Sequence, residues 1–187
     1  LACRADGDAT SVMVDFIMHE QGRTALDLPE EMVRERMASG VNGASIKGVP
    51  HILRTTLVAP YIGGLSFVHA LRKKGGWAMV DRAWAQPPTT TEQVLHVDKW
   101  ESHEPAIPIP APSALALGAG WKLDDEDTFG ELGFALAFEE WVDAAEARRA
   151  AAGWGGDRSA VYTKGDELAF AVHSRYDALP FAERAMQ

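Results

Sequence analysis

Cysteine is nearly missing: Cys3 is the single one in 187 residues. That excludes an internal disulfide and any multi-cysteine zinc site. Basic residues are also few, 18 against 27 acidic ones, for a formal net charge of −9. A nucleic-acid surface, which must displace counterions from phosphates with a basic stripe, is excluded on that ground. No apolar run is long enough to cross a bilayer, so no transmembrane segment is expected. None of the six histidines belongs to a His-Glu-x-x-His helix. His19-Glu20 begins that pattern, but Arg23 stands where the second imidazole belongs. A Gly-x-Ser-x-Gly elbow and a phosphate-cradling glycine loop are likewise missing. The acidic run Asp124-Asp125-Glu126-Asp127 lacks the ligand spacing of a calcium loop. It precedes an apolar helical pattern, so it reads as a solvated helix N-terminus.

What is present suffices for a sizeable core, with 47% hydrophobic residues in a length that suits one compact region. Apolar residues at helical spacing predict a buried helix over Ala9–Gln21, N-capped by Asp8 and stopped at Gly22. Pro29, Glu30, Glu31 and Gly40 bracket a second helix, and Asn42-Gly43 marks a turn. Further helices are expected over His51–Ala59, which Pro60 interrupts, over Ile62–Lys74, ended by Gly75-Gly76, and over Trp77–Trp84. The prolines between Glu104 and Pro112 predict an extended, solvated connector. It divides a helical part (1–103) from a mixed part (113–187). There, helices are expected at Phe129–Phe138 and Val142–Ala152, and Pro180 opens a last one. Ser159–Thr163 and Leu168–His173, joined by Lys164-Gly165-Asp166-Glu167, read as a hairpin. The fold class is α+β, mostly helical with one small antiparallel sheet in the C-terminal half.

The stretch Pro87–Trp100 is the focus of the chain. After the proline pair, Thr89-x-x-Glu92 and Thr90-x-x-Gln93 both fit a reciprocal helix cap. In a helix starting there, Glu92 and His96 fall on one face, four residues apart. Such a pair binds a metal, sets the protonation of an imidazole, or ties down a connector. Gly153-Trp-Gly-Gly-Asp-Arg158 follows a helix and reads as a turn into the sheet.

These pieces, with Gly7-Asp8-Ala9-Thr10, recur in one order elsewhere. On them the chain resembles the C-terminal part of a bacterial family of gluzincin-type zinc metallopeptidases, often secreted or lipid-anchored. The likeness spans nearly the whole chain and is most specific at Thr-Glu-Gln-x-Leu-His. It implies an extracytoplasmic location, a peptide substrate and zinc-assisted hydrolysis. In such proteins a His-Glu-x-x-His helix lies upstream, and a Glu-Gly-[acid]-Ala sequence supplies the third zinc ligand. Here Asp6 holds that ligand position, one methylene shorter than glutamate. His96 or Tyr61 would donate to an oxyanion, and Glu92 would orient His96. Asp6 and Asp8 read equally as helix caps, and Tyr61 as a core ring. The chain opens at Leu1 without methionine, as a fragment or processed product would. Zinc is therefore expected only with an upstream segment or another protein chain, and these residues alone are not catalytically competent. The alternative is a degenerate, non-catalytic structural or binding subunit of a larger assembly.

Overall fold

A computed structural model describes residues 2–29, 32 and 49–186. The helix expected after Pro29, apart from that residue and Met32, and the Asn42-Gly43 turn lie outside the described residues. The chain divides into two compact units, Leu1–Glu104 and Pro105–Gln187. The architecture is α+β: helices dominate, and one three-stranded antiparallel sheet occupies the C-terminal half.

The first unit contains helices α1 (Ala2–Met18), α2 (His51–Ala85), α3 (Thr91–Leu95) and α4 (Val97–Glu101). α1 starts earlier than Asp8, so that residue is no N-cap. It lies inside the helix, and its Oδ2 accepts the Trp84 indole N–H at 3.0 Å. Gly22 stops the chain as expected, in the left-handed conformation. Pro60 does not interrupt α2, whose backbone leaves helical geometry only at Gly75 and Gly76. The glycine pair folds the segment back on itself. Arg72 can then stack on Trp77 at 4.2 Å, and Val80 and Ala83 join Phe67, Val68, Leu71, Val94 and Trp100 in one buried cluster.

α1 packs in an unexpected orientation. Its apolar side was expected to be buried, yet Val12, Met13, Phe16 and Ile17 are half to four-fifths exposed. The buried side carries Gly7, Ser11 and Met18. The cause lies far along the chain. Arg72, itself buried, donates to Ser11 Oγ at 2.6 Å and forks onto Asp15 at 2.7 and 3.2 Å. A buried guanidinium needs such partners, and these polar groups of α1 supply them. Gly7 permits the approach: a Cβ there would stand 2.1 Å from the backbone of Gly64.

The second unit contains β1 (Lys122–Asp127), α5 (Gly130–Phe138), α6 (Ala144–Ala151), β2 (Trp154–Lys164), β3 (Glu167–Tyr176) and α7 (Leu179–Ala185). The strand order is β1-β2-β3. The hairpin forms where the sequence placed it, with Gly165 at positive φ in a two-residue turn between Lys164 and Glu167. The acidic run Asp124–Asp127 is not a helix N-terminus but part of β1, fully exposed along an edge. Pairing with Ser159–Val161 of the buried central strand holds it extended. Small residues let α6 pack tightly, with Ala147, Ala150 and Ala151 buried. Asp143 caps α6 by accepting from the amides of Ala145 and Glu146 at 2.9 Å. Those backbone bonds hold its carboxyl below the usual range.

Candidate functional site

The residues singled out by the sequence fall into three places. In the first, Thr90 N-caps α3 by accepting from the Gln93 amide at 3.1 Å. Gln93 Oε1 accepts from the Thr89 amide at 2.8 Å, one residue earlier than a reciprocal box requires. Its Nε2 donates to the Glu104 carbonyl at 2.7 Å, fastening α3 to the end of the unit. His96 does not continue the helix on which Glu92 sits. It has extended backbone (φ −127°, ψ 97°) at the break between α3 and α4. The pair is therefore joined by backbone, His96 N–H to the Glu92 carbonyl at 2.8 Å, and does not lie on one continuous helical face.

Lys99, which sequence reasoning passed over, supplies the positive charge for this region. Its ammonium donates to Glu92 at 2.6 Å and to Glu104 at 2.8 Å. Glu92 is almost fully buried, so its charge is tolerable only with such compensation. The signal was in the sequence, since Glu92 and Lys99 stand seven residues apart, two turns along the same short stretch.

The second place is α1. Asp6 is half-buried, and its backbone carbonyl accepts the Thr10 hydroxyl at 2.6 Å. Helical spacing puts Asp6, Thr10, Met13 and Ile17 along one stripe. Its carboxylate thus shares a face with the exposed apolar residues. Tyr61 is 45% exposed on α2, one turn before the Gly64 that touches Gly7. It is a surface ring rather than a core one. Among the described residues, neither Asp6 nor His96 belongs to a group of three converging carboxylate, imidazole or thiol donors. Asp6 is one carboxylate, and Glu92 is already engaged by an ammonium, so these side chains do not by themselves fit a zinc centre.

The third place is Gly153–Arg158, where a buried carboxylate with three hydrogen bonds lies. Asp157 is 6% exposed. Its oxygens accept from the amides of Phe129 and Gly130 at 2.9 Å and from the Trp154 indole at 2.8 Å. It therefore caps α5 from a strand 27 residues downstream. Gly156 meets the connector: a Cβ there would lie 2.2 Å from the Ile107 carbonyl oxygen. Ile107 donates its own amide to Gly155 at 2.7 Å. Ala106–Ile109, Thr128, Trp154, Asp157 and Arg158 line an open hollow of about 260 Å³. That is smaller than the ~300–1,000 Å³ of ordinary ligand sites, and its carboxylate already accepts three hydrogen bonds.

Tyr176, at the end of β3, feels this buried charge. Burial first, then the carboxylates of Asp157 and Glu131, push its phenol up to about 12. Unfolded, it ionises near ~10. Below ~10 both states are protonated, and above it the unfolded chain loses the proton first. Stability should therefore fall between about pH 10 and 12. A spectrophotometric titration should show a tyrosine step near pH 12, and Tyr176→Phe should remove it.

Comparison with known families finds a match to a family described as a domain of unknown function (DUF8575), over residues 119–185. That span is about a third of the chain and takes in every strand and α-helix described in the second unit. Neither a curated protein nor a solved structure matches the chain. No helix among the described residues is long and apolar enough to cross a membrane.

Proposed function

We propose that this chain is the C-terminal region of a gluzincin-like metallopeptidase-type protein, and that its part is to receive the zinc-binding segment rather than to hold the metal itself. The exposed face of α1 carries the proposal. Val12, Met13, Phe16 and Ile17 form an apolar surface on a helix already fixed through its polar side. Apolar patches of that kind mark interaction sites. An amphipathic helix bearing the nitrogen ligands, from upstream or from another chain, would cross Asp6 as it covered Met13 and Ile17. Asp6 would then add one carboxylate to its histidines, and zinc bound there would acidify a water and polarise a peptide carbonyl. His96 and Tyr61 would serve as donors to the substrate, and Glu92, held by Lys99, would fix the position of His96. The engagement of Glu92 by Lys99 also favours a second reading, a non-catalytic binding subunit that uses the same α1 face.

The double substitution Phe16→Glu/Ile17→Lys tests the shared premise. On a docking face it should change unfolding free energy by no more than about 0.5 kcal/mol while lowering the binding of an apolar dye. A loss of several kcal/mol would make the face part of the core and overturn the proposal.

A further inference from the structure

The two edges of the sheet differ in kind. β1 ends the sheet on one side with Asp124, Asp125, Glu126 and Asp127 and a register irregularity between Leu123 and Asp125. Charge and a bulge are the usual means of keeping an edge from pairing with another chain. β3, the opposite edge, keeps its charged residues to its two ends, Glu167 and Arg175, and its one register irregularity to the Tyr176 end. It runs ten residues from Glu167 to Tyr176 without proline, lysine or a bulge in its central pairing. On one face it presents Leu168, Phe170 and Val172, at 75%, 59% and 40% exposure. Such an edge is a template for strand addition.

We propose that β3 pairs antiparallel with β3 of a second copy, making a continuous six-stranded sheet. Charge complementarity selects the partner and the register. A twofold axis at Ala171 sets Phe170 opposite Val172 and Ala169 opposite His173. It also sets Glu167 opposite Arg175, and each pair occurs twice. Shifting the axis by one residue to Val172 would instead place Glu167 opposite Asp177. Glu167 and Arg175 are both exposed and free of the core, so opposite charges there fix alignment without burying an unpaired group. The Phe170–Val172 pairs would cover the apolar row from both sides. This interface uses a surface in the second unit and does not depend on the zinc-segment reading, which concerns α1.

The test is sedimentation of the full chain across a concentration series, with circular dichroism as the check on folding. The native chain should form a dimer that weakens with salt. Glu167→Arg and Arg175→Glu should each weaken it about tenfold or more, and the double reversal should restore it. Val172→Lys is a second, independent disruption. A native chain that stays monomeric would overturn the proposal. So would a dimer indifferent to both reversals, or one dissolved by Phe16→Glu instead.

Discussion

Asp157→Ala should destabilise the second unit by about 4 kcal/mol, the larger part of what a domain of this size has to spare. The carboxylate is 6% exposed and accepts three hydrogen bonds. Removing it leaves two backbone amides at the head of α5 and the indole N–H of buried Trp154 without their acceptor. Each stranded donor costs about 1–3 kcal/mol, and a charged acceptor stands at the upper end. Asp157→Asn should lose less, about 2 kcal/mol, because one amide oxygen remains while the NH₂ group faces donors. Denaturant unfolding followed by tryptophan fluorescence gives both values. If Asp157→Ala lost less than about 1 kcal/mol, the carboxylate would not be the cap of α5. A ligand role for it in the small hollow would then have to be reconsidered.

Gly7→Ala carries the second large effect, and its sign is decisive. Within a helix, replacing glycine by alanine normally gains about 1 kcal/mol. Here the new methyl would sit 2.1 Å from both the carbonyl carbon and oxygen of Gly64. Backbone cannot rotate aside as a side chain does, so the two helices must separate. That separation pulls Asp15 and Ser11 from Arg72, which is 8% exposed. Overpacking combined with a poorly paired buried charge should reverse the intrinsic gain and leave a net loss of about 3 kcal/mol. Gly7→Val should be worse. A more stable Gly7→Ala protein would show that α1 does not lie against Gly64.

Local signals carried much of the fold into the sequence. The hairpin was readable because Lys164–Glu167 combines turn chemistry with flanking β-prone runs. The fold-back in α2 was readable because Gly75-Gly76 follows the basic end of a helical pattern, Arg72-Lys73-Lys74, whereas Gly63-Gly64, within that pattern, stays helical. Less legible were features whose cause lies elsewhere in the chain. The apolar periodicity of Ala9–Gln21 marks a helix but does not say which side a buried Arg72, 57 residues from Asp15, will claim. The acidic run Asp124–Asp127 favours a helix start by charge alone, and only pairing with β2 makes it a strand. Asp157 read as a turn residue because its partners at Phe129 and Gly130 are remote. The stretch around Glu92 gave its cap at Thr90, yet its counter-ion, Lys99, was overlooked in favour of His96.

One pattern joins these sites. Gly7, Gln93, Asp157 and Gly156, the residues behind the sequence resemblance, all close packing or cap backbone within their own unit. Glu92 is tied to Lys99 in the same way. In the proposed reading, Asp6 and His96 are the groups that would serve chemistry once another segment is present. This chain by itself should therefore not hold zinc. Equilibrium dialysis of the purified protein against zinc, with metal content read by mass spectrometry and peptide hydrolysis assayed alongside, tests it directly. The expected result is no stoichiometric zinc and no chelator-sensitive cleavage. One zinc per chain, lost together with cleavage in Asp6→Ala or His96→Ala, would contradict it.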